Sequence, residues 1–381
     1  MFLYMKYWAN SLLIVFLSVY GQVACAQSNA LLFFGAQISV PELTAQEYDS
    51  LARQKIVPDK IKNYIKNTAK TYDLADWGLV LFLQKFVSEE FRNAMEADQV
   101  KILSALLTQE KINHALGKNI LGHLSCLFSI EHQAGTYNYE KDGYRFLKEA
   151  AQKKNVGLSN IDIVYYEGNN LGFTVPAPHL NEQDSIRKTC SFFNYSTDRE
   201  DSISFYYSGH YIDYSREFPM SLYHIHYTKS PVSPIFINSL FTALTKKIGT
   251  CQKRADSINF IYRFAQTVIK NQSDVDLYGV DDYPCYPEST LVVGKGDCDD
   301  KMELFAFLLS YFFREWDFVV LEYDDLQHVR LAIHDDCFDT LNMSYIDYKG
   351  KKYLITEVTD DFGTVGDDFH SGERPPTRIH E

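Results

Sequence analysis

The chain has 381 residues and a formal charge of -13, which gives room for two or three domains with cores of their own. That acidic balance excludes nucleic acid as a partner, because phosphate binding needs a basic surface and no Lys/Arg cluster offsets the charge locally. Aromatic residues reach 15%, with 27 Tyr and 26 Phe, a composition suited to β-rich exported domains.

Residues 1–26 read as a signal peptide. Lys6 precedes the apolar run Leu12 to Leu17, and Ala24-Cys25-Ala26 supplies the small-x-small pattern before Gln27, which places cleavage near Ala26. A lipoprotein signal would use Cys25, but Gln22 stands where such signals prefer Leu. The polar Ser11, Ser18, Gly21 and Gln22 also argue against a retained anchor. No membrane span is expected after signal removal, and the expected location is periplasmic or extracellular. Disulfides are permitted there, yet a chain of this size needs no staples, and no disulfide framework is expected.

Residues 27–155 read as a mainly helical domain, with apolar helical runs at Leu79 to Phe86 and Gln99 to Leu107. They also hint at an internal repeat. Gln99 to Thr108 aligns with Lys301 to Ser310, and Tyr137 to Ala150 with Tyr345 to Val358, which sets Glu96 against Cys298 and Cys126 against His328. This reading makes the first copy a degenerate one. Chance similarity of two helix-plus-hairpin segments gives the same pattern, so both readings stay open.

Residues 156–230 change to short β-like runs separated by turn residues, the pattern of a small β-sandwich-like domain. His224 and His226 alternate there without Cys or carboxylate partners, so no metal site is expected. Pro231 to Pro234 forms a hinge into a domain spanning 235–362, and the tail 363–381 reads as an irregular strap.

The most informative stretch is Gly296-Asp297-Cys298-Asp299-Asp300-Lys301, which sets a cysteine at the entrance of the apolar helix Met302 to Phe312. Gly294 and Gly296 allow the turn, and Asp297 is the expected N-cap. Unpaired N–H groups and the positive helix end then favour a thiolate at Cys298 and can hold an oxyanion. A cysteine nucleophile needs a base. His328 opens the strand 328–334 and His334 closes it, so both are candidates, with His328 preferred. Tyr345 to Thr359 reads as a hairpin with its turn at Lys349-Gly350, and Glu357 is an acid in its apolar return strand, with Asp360 as the alternative acid. Arg330 shares the face of His328, where it obstructs close helix approach unless the strand end is exposed.

Helix with cysteine, strand with histidine and strand with acid, in that order, resembles the transglutaminase-like superfamily of papain-type cysteine enzymes. The resemblance is densest from Ala255 to Thr359, through S-I-N-F-I-Y-R-F-A-Q-T-V-I, Y-P-E-S-T-L, G-D-C-D-D-K, V-V-L-E-Y, H-V-R-L-A-I and G-K-K-Y-L-I-T-E-V-T. The sequence looks like the bacterial exported, envelope-associated branch. The resemblance implies an α+β fold in which a transglutaminase-like (papain-like) C-terminal domain packs a central buried helix on an antiparallel sheet. It also implies Cys298 as nucleophile, His328 as base and Glu357 as orienting acid, although many relatives read D-P-T where this chain has T-E-V-T. The implied activity is thioester acyl transfer from a peptide amide to water or an amine, acting on a peptide or protein substrate such as a cell-wall peptide, with no cofactor and no metal.

Other readings of these residues remain. Gln266 can donate to the oxyanion or simply pack its helix. Asp299 and Asp300 suit the helix dipole but oppose thiolate formation, and with Asp297 they lack the spacing of a calcium loop. A catalytically inactive binding or scaffold protein of the same fold is the alternative function.

Overall fold

The computed structural model describes residues 30–118, 124–129, 139–141, 144–148, 164–166, 169, 171, 185–218, 232–249, 251–279, 283, 285–313, 316–339, 342–360, 363–367 and 375–380, apart from positions 55, 75, 196 and 325. Buried apolar side chains gather into two main cores, one built from residues 31–171 together with Tyr211, Tyr214 and Phe218, the other from residues between 190 and 365, and the secondary structure around both is mixed helix and sheet, an α+β arrangement.

The first half opens with the hairpin β1 (Ala30–Phe33) and β2 (Ala36–Ser39). Helices α1 (Ala45–Gln54), α2 (Asp59–Tyr72), α3 (Asp76–Glu90) and α4 (Glu96–Gln109) follow. Strands β3 (His114–Lys118), β4 (Leu124–Ser129), β5 (Tyr139–Lys141), β6 (Tyr144–Lys148) and β7 (Val164–Tyr166) complete it. In α4 every residue from Ile102 to Leu107 is buried, so the helix is enclosed on all sides and packs against β4.

The second half repeats this plan. A hairpin of β8 (Ser185–Asn194) and β9 (Arg199–Ser208) comes first, then α5 (Gly209–Arg216), α6 (Pro234–Ile248) and α7 (Arg254–Val268). The short elements β10 (Lys270–Asn271), α8 (Asp274–Tyr278), α9 (Pro287–Val293) and β11 (Lys295–Gly296) lead into α10 (Cys298–Phe312). Strands β12 (Asp317–Tyr323), β13 (His328–His334), β14 (Tyr345–Tyr348), β15 (Lys351–Ile355) and β16 (Arg378–His380) form the second sheet. The two five-stranded sheets have orders β5-β6-β4-β3-β7 and β14-β15-β13-β12-β16. Equivalent strands hold equivalent places, and every neighbouring pair in both sheets is antiparallel.

Two boundaries differ from the sequence reading. The described part of residues 27–155 is mainly helical, as expected, but also carries β1 to β6; these strands are short, and the pairing of β3 to β6 in the sheet involves partners distant in sequence. Among the described residues of 156–230 there is no sandwich: β7 joins the first sheet and the β8–β9 hairpin joins the second core. Phe192 packs its ring 5.1 Å from Phe264 of α7, and Phe205 packs 5.3 Å from Phe236 of α6, so the alternating aromatic face covers helices rather than another sheet. The tail also gains order, because β16 pairs with β12 and Val365 is fully buried. The expected leader and the His224/His226 pair lie outside the described residues. Among the described residues no helix is long and apolar enough to cross a membrane.

Candidate active site

Two turns fix the start of α10. Gly294 ends α9 at φ 75°, a left-handed conformation in which its N–H reaches the Thr290 carbonyl. Gly296 pairs with Asn271, and the Asp300 carboxylate packs where a Cβ would stand, so this position takes only glycine without rearrangement. Cys298 is then the first residue of α10 and is half-buried. Asp297 occupies the N-cap position but makes no side-chain cap bond. The cap expected from sequence is therefore not made, and that carboxylate does not quench the first-turn N–H groups beside Cys298.

His328 is the first residue of β13, reached through Gln327 at φ 48°. Glu357 stands two residues beyond β15, where the chain continues along β13 through a bond from Thr356 N to the Leu331 carbonyl at 2.9 Å. The Cys298 thiol lies near enough to the His328 ring to raise its pKa. His328 Nε2 lies 2.7 Å from Glu357 Oε2, which leaves Nδ1 as the ring nitrogen for the thiol. Arg330 Nε donates to the same Glu357 oxygen at 2.6 Å, while Thr359 donates its N–H at 3.1 Å and its hydroxyl to Oε1. Arg330 does share the face of His328, as strand alternation requires. It does not obstruct the helix, because its guanidinium is drawn onto Glu357 and lies 5.2 Å from the Tyr323 ring centre.

Electrostatics follow from these contacts. Burial opposes the charged form of His328, but the Cys298 thiol and the Glu357 carboxylate outweigh it and raise its pKa to about 9. Burial would raise Glu357, and the hydrogen bond and charge of His328, with Thr359 and Arg330, instead lower it to about 2. The pair is therefore ionic across the neutral range.

Tyr262 and Gln266, one turn apart on α7, hold the acid's backbone. Tyr262 Oη donates to the Glu357 carbonyl at 2.7 Å and accepts from Glu357 N at 3.0 Å, and Gln266 Nε2 donates to that carbonyl at 3.0 Å. Gln266 thus packs its helix and is fully buried, so it does not serve as an oxyanion donor. The parts of Tyr262, Arg330 and Thr359 in holding Glu357 were not read from the sequence; two polar groups at i and i+4 among the apolar positions of the buried face of α7 were the available signal. His334 bonds the Lys352 carbonyl through Nδ1 at 2.8 Å, at the opposite end of β13. It lies six residues, about 20 Å, from His328. The imidazole at the thiol is that of His328, and its acid is Glu357, not Asp360.

Beneath Cys298 lies a set of buried acids. Asp299 and Asp300 are both held well above the ordinary carboxylate range, first by burial and then by their neighbours: Asp297 bonds and repels Asp299, and Glu303 repels both. Their place at the helix start suits the dipole, as expected from sequence, but they are core residues, 6% and 1% exposed. Asp300 Oδ1 accepts the Cys285 N–H at 2.9 Å. Asp274, Asp297 and Asp300 each bring one carboxylate oxygen within 4.8 Å of the others, so these are residues that could hold a hard cation.

The first half keeps the scaffold but differs at the nucleophile and acid positions. Phe128 pairs with His114 and Leu147 as Ile333 pairs with Phe318 and Leu354, and Leu147 and Leu354 each stand three residues into their strand. Counting back five residues, His328 matches His123 rather than Cys126, which instead falls at Leu331; counting forward three, Glu357 matches Ala150. Positions 123 and 150 lie outside the described residues. Glu96 begins α4 as Cys298 begins α10.

No protein-family model matches this chain, and no curated protein matches it.

Proposed function

We propose that this chain is an exported cysteine enzyme of the transglutaminase-like type, acting on peptide amide bonds through a thioester. The observation that carries the reading is the series contributed by α10, β13 and the segment after β15: His328 is bonded to Glu357, and Cys298 lies near enough to raise the pKa of that ring. Its ionic His328–Glu357 pair keeps an imidazolium beside the sulfur near neutral pH. Loss of the thiol proton leaves a sulfur anion paired with that imidazolium, and the anion adds to the amide carbonyl. First-turn N–H groups of α10 stabilise the resulting oxyanion. Collapse breaks the C–N bond, and His328 returns its proton to the leaving amine. Water or a second amine then attacks the thioester, with His328 taking that nucleophile's proton, and Cys298 leaves as the sulfur anion, again paired with the imidazolium. Buried Tyr262 and Gln266 act as positioning residues for Glu357. The first half, with Glu96 at the nucleophile's place and Ala150 at the acid's, takes a structural role as a degenerate copy.

A second reading, an inactive scaffold, draws on Arg330, which engages the Glu357 oxygen that His328 also uses. Iodoacetamide at near-neutral pH separates the two. Burial raises the thiols of Cys190, Cys251, Cys285 and Cys337, the last to about 12. An enzyme shows Cys298 labelled well ahead of these, and loss of peptide hydrolysis or amine incorporation in Cys298→Ala. Equal labelling of all thiols would leave the scaffold.

A further inference from the structure

A concavity lined by no member of the Cys298, His328 and Glu357 series opens between the tip of the β8–β9 hairpin, the outer face of α7 and the 363–367 segment. Its volume is about 370 Å³, within the size range of small-ligand sites. Phe193 and Phe260 give it apolar walls, Asn194 and Asn259 amide groups, and Asp256 and Arg263 opposite charges.

The two charges are what specify a ligand. Asp256 and Arg263 are seven residues apart on α7, hence on one face and about 10.5 Å apart along the axis. Arg263 spends its Nε on the Gly363 carbonyl at 3.2 Å and lies 4.6 Å from the Tyr195 ring centre, contacts that fix the guanidinium without neutralising it. Asp256 is exposed at the rim. Asn259 accepts the Val365 N–H at 3.0 Å through Oδ1, which leaves its Nδ2 as a donor on the same wall. An anion pole, a cation pole, amides and aromatic surface between them match an extended zwitterionic chain. At about 3.4 Å per residue, three residues span about 10 Å.

The geometry points to this cavity as a binding site for a short peptide of about three residues with both termini free, the α-ammonium on Asp256, the α-carboxylate on Arg263 and Asn259, and an apolar central side chain against Phe193 and Phe260. The site stands independently of the catalytic reading. Its floor nevertheless includes Thr364 and the carbonyl of Gly363, in the segment that follows Glu357, so an occupant sits close to the chain carrying the acid.

The test is calorimetric titration of the full-length protein with Ala-Leu-Ala, its N-acetylated form and its C-amidated form, in wild type and in Cys298→Ala. Free tripeptide binds both proteins alike, and blocking either terminus weakens binding about tenfold, as expected for one charge-assisted contact. In Asp256→Asn, an exposed substitution with no fold to upset, N-acetylation no longer matters while C-amidation still does. Arg263→Gln reverses that pattern. Equal affinity for free and blocked peptides, binding that disappears in Cys298→Ala, or absence of binding to folded wild type overturns the assignment.

Discussion

His328 and Glu357 are joined at 2.7 Å across two segments that meet at the mouth of α10, and the bond makes each partner's charge depend on the other. His328 titrates at about 9 in the fold against an ordinary 6.5, so its stabilising contribution is complete below the ordinary value and is lost as pH rises through about 9. Glu357 titrates at about 2 against 4.5, so its contribution is complete above the ordinary value and is lost as pH falls through about 2. Thermal melts from pH 2 to 10 should show Tm declining at both ends, and the alkaline decline should vanish in His328→Gln.

Activity should share the alkaline limb, because the imidazolium is needed beside the sulfur. In Glu357→Gln the ring loses its anion, and the limb moves from about pH 9 toward the ordinary histidine range. The expected loss in kcat/KM is about a hundredfold. A pH profile of Cys298 alkylation checks the shift even with no substrate in hand.

Arg330 is 3% exposed and shares a Glu357 oxygen with His328. Replacing it by Met leaves a buried carboxylate short of one partner, a change that costs about 3 kcal/mol. Urea denaturation measures it. His328 should rise in importance as the remaining cation, so the double substitution Arg330→Met with His328→Gln should be worse than the sum of the two.

Asp300 works in the opposite sense. Burial and the neighbouring acids raise its pKa in the fold, so the folded chain holds a proton that the unfolded chain gives up, and this group's contribution falls as pH rises above the ordinary carboxylate range. Asp300→Asn keeps an acceptor for the Cys285 N–H and needs no proton. It should therefore gain stability over wild type at pH 8 and little or none at pH 4. The comparison is made in chelator, since Asp300 is also one of three oxygens able to hold a cation.

Gly296 tests the tightness of the turn before the thiol. A methyl group there meets the Asp300 carboxylate, and the overpacking should cost about 2 kcal/mol. The penalty should shrink when Asp300 is shortened to Ser, a coupling that a double-mutant cycle reads directly.

Local pattern determined much of this molecule. The apolar periodicity of 302–312 gave a helix buried on all sides, and Lys349-Gly350 gave the two-residue turn joining β14 and β15. The glycine-bordered Cys298 and the strand beginning at His328 were legible for the same reason: short-range preferences and side-chain period act within a few residues. What closes around those elements was not legible. The aromatic alternation in β8 and β9 says that one face is buried but not that α6 and α7 bury it. The 156–230 segment therefore read as a sandwich. Asp299 and Asp300 read as helix-start acids suited to the dipole, and only the packing of α9 and the Cys285 segment encloses them. Arg330 read as an obstacle because alternation fixes its face but not its partner; Glu357, 27 residues on, decides that. Face and period are properties of neighbouring residues, whereas burial, charge state and pairing depend on which distant segments meet, and those the tertiary structure alone decides.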